Sequence, residues 1–81
     1  MSATVWKTLD ARPILAGGEH PLERVMQDLS QLPAGQAYDL LTPFVPEPLI
    51  DKAAARGFAG TSTAEGPGLV RTRFVREGGE G

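Results

Sequence analysis

Apolar residues recur along this chain with two periods, and each change of period marks a new element. Leu22, Val25, Met26, Leu29 and Leu32 fall at i, i+3, i+4, i+7 and i+10, which is the single stripe of an amphipathic helix. Pro21 suits the first helical position, where its missing N–H costs nothing. Glu23 lies in the first turn, where the helix dipole favours an anion. Leu32-Pro33-Ala34-Gly35 then stops the helix and turns the chain. Before this helix, residues 5–9 alternate β-formers with polar residues and read as a first strand closed by Asp10. Residues 11–20, punctuated by Pro13 and Gly17-Gly18, read as a loop.

After the helix, residues 36–42 read as a second strand centred on Tyr38-Asp39-Leu40-Leu41. Pro43, Pro46 and Pro48 make the next six residues a stiff, extended connection. It delivers the chain to a second helix, from Glu47 or Pro48 to Arg56, with Leu49, Ile50 and Ala53 on its apolar face. Gly57 suits the left-handed position that ends such a helix, and Phe58 can pack back on it. Residues 58–64 read as a third strand, weakened by Gly60. Glu65-Gly66-Pro67-Gly68 is a turn, and residues 69–76 are the last strand. On that strand Val70, Thr72 and Phe74 share one face and Arg71 and Arg73 the other.

The predicted order is therefore β-α-β-α-β-β. It implies an α+β fold: a two-layer sandwich with a four-stranded mixed sheet and both helices on one face. The chain is read as a single domain over 1–81, with a structured core at about 5–76 and a frayed polar tail at 77–81.

Length narrows the chemistry. A domain of 81 residues buries only about 60–65% of its unfolded surface, so a shallow site, or one completed by a partner chain, is expected rather than a deep one. The chain has no cysteine, which excludes disulfides, thiolate metal sites and thiol catalysis and suits a reducing compartment. With no signal-like start and no apolar run near the roughly 18 residues of a membrane span, a cytoplasmic location is expected. Eight Lys and Arg against ten Asp and Glu give a net charge of −2, which argues against nucleic-acid binding. Arg71 and Arg73 are read as a solvated sheet face, and Asp39 and Asp51 as surface charges.

His20 is the residue that stands out. It follows Gly17-Gly18-Glu19 at the entry to the first helix, where exposed N–H groups favour anions. A neutral imidazole there can be a ligand, a base or a hydrogen-bond donor. The plainer alternative is that His20 caps the helix and Glu19 is solvated. Asp10 and Arg12, after the first strand, belong to the same β-α connection and can brace it, since Asp often bonds the backbone two residues on. Phe44 and Val45 form a small apolar patch in the proline-rich connection if exposed. A lone His makes a metal site only if a partner chain supplies the remaining ligands, so no metal and no cofactor is expected. The glycines are turn residues: Gly17-Gly18 lacks the Lys-Ser/Thr of a phosphate loop and the dinucleotide spacing.

Leu9-Asp10-x-Arg12, Pro21-Leu22 and Leu32-Pro33-x-Gly35 resemble motifs of the TusA/SirA-like sulfur carriers. The set His20-Pro21-Leu22, Leu32-Pro33-x-Gly35, Pro46-x-Pro48-Leu49 and Gly66-Pro67-Gly68 more closely resembles the uncharacterised bacterial domain-of-unknown-function family 2249, over about residues 5–76. The resemblance implies a sulfur-carrier-like scaffold and company in redox or nitrogen-oxide metabolism. Two departures matter. The carriers have a cysteine directly before the helix proline, where this chain has His20, and persulfide carriage needs a thiolate. Many members of the closer family have a His and an Asp where this chain has Phe44 and Val45, so a two-histidine metal site cannot be built from one copy.

The expected function is a non-enzymatic binding or interaction module using the His20 helix end and the Phe44-Val45 loop. Its partner is a protein or a small ligand, and neither nucleic acid nor membrane. The alternative is a small-molecule, anion or metal-cofactor binder using His20, as an accessory subunit in redox metabolism. Stand-alone catalysis is the least supported reading, since no thiol or paired base accompanies the single His.

Overall fold

The computed structural model describes residues 4–77. Along them the chain runs β1 (Thr4–Asp10), α1 (Arg12–Ala16), α2 (Leu22–Ser30), β2 (Gln36–Thr42), α3 (Glu47–Ala55), β3 (Phe58–Gly66) and β4 (Leu69–Arg76). The sheet order is β1-β2-β4-β3. β1 is parallel to β2, β2 antiparallel to β4, and β4 antiparallel to β3. This is the predicted α+β sandwich on a four-stranded mixed sheet. No helix among the described residues is long and apolar enough to cross a membrane. Of the tail read at 77–81, residues 78–81 lie outside the described residues, as do residues 1–3. Glu77 donates its backbone N–H to the Gly57 carbonyl at 2.7 Å.

The structure adds one element to the predicted set. Residues 12–16 are the short helix α1 rather than loop. Pro13 reads as a breaker, but it sits in the first turn, where a proline forfeits no intrahelical bond. The Ala11 N–H donates to the Leu41 carbonyl at 2.9 Å, which extends the β1–β2 ladder to the start of α1. Leu15 then packs against the core from above.

The core lies between the helices and one face of the sheet. Val25 and Leu29 of α2 and Leu49 and Ala53 of α3 join Tyr38, Leu40, Phe58 and Phe74 in one buried cluster, so α2 and α3 cover the same sheet face. β2 pairs on both sides, and four consecutive residues, Ala37 to Leu40, are buried, as a strand covered on both faces requires. Gly57 ends α3 at φ +90°, and Phe58 behind it enters the core.

Two polar arrangements anchor the sheet. On the helix face, Tyr38 donates its hydroxyl to Asp28 of α2 at 2.7 Å, and Lys7 reaches the same carboxylate at 3.3 Å. Burial first, and the bond to Asp28 second, push the Tyr38 phenol well above its ordinary value. It therefore stays protonated and donating through the alkaline range. The opposite face holds Asp39, which is fully buried and corrects the reading of it as a surface charge. Arg73, its direct cross-strand neighbour, binds both carboxylate oxygens at 2.8 and 2.9 Å. Arg71 adds a third bond at 2.8 Å and reaches Glu65 at 2.8 Å. The two arginines are thus not a simply solvated face; they form a lid over a buried carboxylate.

Gly60 of β3 marks a close approach. A Cβ built there would lie 2.7 Å from the Phe74 ring, and Phe74 is fully buried. Gly60→Ala is expected to cost about 1–3 kcal/mol through overpacking, measured as a lower urea midpoint. An unchanged midpoint would mean that the ring has room to move.

Candidate functional site

A cavity of about 350 Å³ opens where the β-α connections meet, beyond the C-terminal end of β2. Open sheets with parallel strands place ligand sites at this end, because the connecting loops gather there. Its floor is the helix-facing row of β2, Leu40 and Thr42. One wall is Leu15 of α1 with His20, Pro21 and Leu22 at the entry to α2. The other is Phe44 and Pro46 of the connection, with Pro48, Leu49 and Lys52 of α3.

Each wall follows from local sequence. Positions 48, 49 and 52 fall at i, i+1 and i+4 on α3, one face of a helix. Phe44 is fixed because Thr42 donates its hydroxyl to the Phe44 carbonyl, closing the chain over Pro43. That bond spends the proton of the one hydroxyl in the floor, so a mostly apolar interior is left without a free hydroxyl donor. His20 and Lys52 are the two titratable lining residues, and both are exposed. Lys52 makes no ion pair among the described residues.

His20 does not cap α2. Pro21 occupies the N-cap position and no side chain bonds the first turn, so the capping alternative is replaced by a histidine on the pocket wall. Pro21 also falls one residue earlier than predicted, with its carbonyl accepting the Val25 N–H at 2.8 Å. Phe44, distant from His20 in sequence, lines the same cavity.

The other candidate residues stay outside it. Glu19 is exposed, with its backbone N–H bonded to the Ile14 carbonyl at 3.1 Å. Asp10 and Arg12 brace the turn into α1. Arg12 donates from its backbone N–H at 3.1 Å and from its guanidinium at 2.9 and 2.8 Å. That pair holds the Asp10 carboxyl down at about 2, and the carboxylate in turn raises the Arg12 guanidinium. Val45 is 47% exposed and Phe44 54%; Val45 does not line the cavity. Among the described residues no three His, Asp or Glu side chains converge as a metal ion would need.

Sequence reasoning missed Leu15, Leu22 and Lys52 as site residues. Leu15 was hidden by the loop reading of α1, and Leu22 was assigned wholly to the core. Lys52 carries a usable signal: it follows Pro48 and Leu49 on the same helix face, next to the segment already suspected.

No curated protein and no solved structure matches the chain. The family described as "Uncharacterized conserved protein (DUF2249)" matches residues 8–76, which spans everything from the middle of β1 to the last residue of β4, and the chain belongs to that family.

Proposed function

We propose that this member of DUF2249 is a non-enzymatic binding module that holds a small molecule in the cavity at the end of β2. The observation that carries this reading is the meeting of His20 and Phe44 on one apolar cavity of about 350 Å³, a size within the range of small-molecule sites. Catalysis has less support. His20 has no hydrogen-bonded partner among the described residues to orient it, and no nucleophile stands beside it. The scaffold is read as sulfur-carrier-like, with His20 in the place of the carrier cysteine, so the chain binds without carrying sulfur. A cytoplasmic setting fits the absence of cysteine.

The exposure of Phe44 and Val45, 54% and 47%, favours one second reading, in which this loop is the contact for a protein partner. An NMR titration of labelled protein separates the two. The panel holds fragment-sized apolar molecules, small anions, divalent metal ions and haem. Shifts are expected at Leu15, Leu22, Leu40 and Leu49 with organic members of the panel. They are expected to vanish in Leu15→Trp, whose ring fills the cavity while the rest of the spectrum persists. Absence of shifts at those four residues with every compound would overturn the pocket reading and leave the Phe44-Val45 contact.

A further inference from the structure

We propose that the cavity selects amphiphilic anions: molecules with a short apolar body and one negatively charged head, such as a carboxylate. This rests on the pocket reading above and adds the chemistry of the occupant. The whole chain carries more acid than base, ten Asp and Glu against eight Lys and Arg, yet no carboxylate lines this cavity. Its titratable lining is His20 and Lys52, so the local charge balance is opposite in sign to that of the molecule.

The position of Lys52 sharpens the point. The lysine borders both the cavity and an adjoining groove between α2 and α3, where Leu22 is again shared. A lysine on such a wall lays its aliphatic stem along apolar surface and keeps its ammonium in water. Of the other seven Lys and Arg side chains, six are engaged elsewhere among the described residues, and the seventh, Arg56, borders the adjoining groove and not the cavity. Arg71 and Arg73 bind Asp39, Arg12 binds Asp10, Lys7 and Arg24 reach Asp28, and Arg76 donates to the Leu32 carbonyl. Lys52 has no such partner among the described residues, although Glu23 and Arg56 border the groove beside it. Glu19, next to His20 in sequence, stays outside the cavity.

The depth of the cavity sets the rest of the ligand. Leu40 is fully buried and Leu49 nearly so, and the Thr42 hydroxyl is already bonded. A carboxylate or other acceptor carried to the floor would find no free donor among these side chains and lose its hydration. The favoured occupant is therefore polar at one end only, with the head at the Lys52 and His20 rim and the body against Leu40. A volume of about 350 Å³ corresponds to roughly a dozen water-sized groups, enough for a short chain or one small ring.

Hexanoate, hexan-1-ol and hexylamine share an apolar body and differ in the head. Dissociation constants are measured by NMR shifts at Leu40 and Leu49, in the native chain and in Lys52→Met and Lys52→Arg. Lys52 is exposed, so both variants keep the fold, which the rest of the spectrum checks. Hexanoate is expected to bind about threefold to fivefold tighter than hexan-1-ol, the range of a partly exposed ion pair. The preference is expected to fall below twofold in Lys52→Met and to persist in Lys52→Arg. Equal binding of hexanoate and hexan-1-ol, or tighter binding of hexylamine, would overturn the charge preference and leave the pocket reading intact. A preference unchanged in Lys52→Met would overturn the role given to Lys52. No shift at Leu40 or Leu49 with any of the three would overturn both the inference and the reading beneath it.

Discussion

The double variant Arg71→Met/Arg73→Met is expected to lose about 3–5 kcal/mol of stability at pH 7 and to recover most of that deficit in acid. Asp39 sits in the middle of β2, fully buried, and its two oxygens accept three guanidinium bonds. Removing both arginines strands a carboxylate with neither water nor a partner. The loss is a large part of the 5–15 kcal/mol by which native domains are stable. The converse change is milder. The side chains of Arg71 and Arg73 are 32% and 41% exposed, so in Asp39→Asn their charge can turn to water, and about 1.5–3 kcal/mol is expected.

The pH dependence has a definite sign. The Arg73 bonds, ahead of those from Arg71, hold the Asp39 carboxyl below its ordinary value despite burial. The unfolded chain therefore takes the proton first as pH falls. The stability contributed by Asp39 is complete above about pH 4, the ordinary aspartate value, and is lost as pH falls through the lowered folded value. Asp10, held at about 2, shares that window, so Asp39→Asn is expected to flatten the acid limb without abolishing it. In the double arginine variant the buried carboxyl is pushed upward instead, and protonation relieves it. Urea unfolding at pH 7 and pH 3 checks this. Equal losses in the double variant at both pH values would show that the arginines act by packing and not by charge.

Phe74→Ala is expected to cost about 3–5 kcal/mol. The ring is fully buried, 6.5 Å from the Tyr38 ring, and lies over the bare backbone of Gly60. With no side chain at position 60 to fall inward, the void collapses poorly, and cost rises with the cavity that remains. Gly60→Ala alone is destabilising because its methyl meets the ring. In Gly60→Ala/Phe74→Ala the same methyl occupies vacated space, so the pair is expected to cost about 1 kcal/mol less than the two single losses added together. Urea midpoints of the native protein and the three variants close this cycle. Strict additivity would show that the two positions do not touch in solution.

Much of the fold was legible because its signals are local. The stripe from Leu22 to Leu32, the Gly57 stop and the Pro67-Gly68 turn each state their own geometry, and the elements they bound appear where expected. The misses have equally local causes. Pro13 carries the same letter whether it breaks a segment or opens a helix, and only the packing of Leu15 on the core selects the latter. Asp39 looked like a surface charge because strand alternation places it opposite Tyr38 and Leu40, on the face without helices. Its burial depends on which strand lies beside β2. That neighbour is β4, over 30 residues away, and its Arg71 and Arg73 fold over the carboxylate. An aspartate inside an apolar run and two arginines two residues apart on a later strand were the available signal.

The candidate site divides in the same way. His20 and Phe44 were each legible as unusual, one at a helix entry and the other between prolines. Sequence alone determined the element types, the sandwich, the want of a thiol and these two residues, because all of them depend on neighbours within a few positions along the chain. Tertiary structure alone decided that His20 and Phe44 share one cavity, that Lys52 joins them while Asp10, Arg12, Glu19 and Val45 do not, and that Asp39 is buried. Those facts depend on how α2, β2 and α3 pack, and a cavity is a property of the space between elements, which no single stretch of sequence encodes.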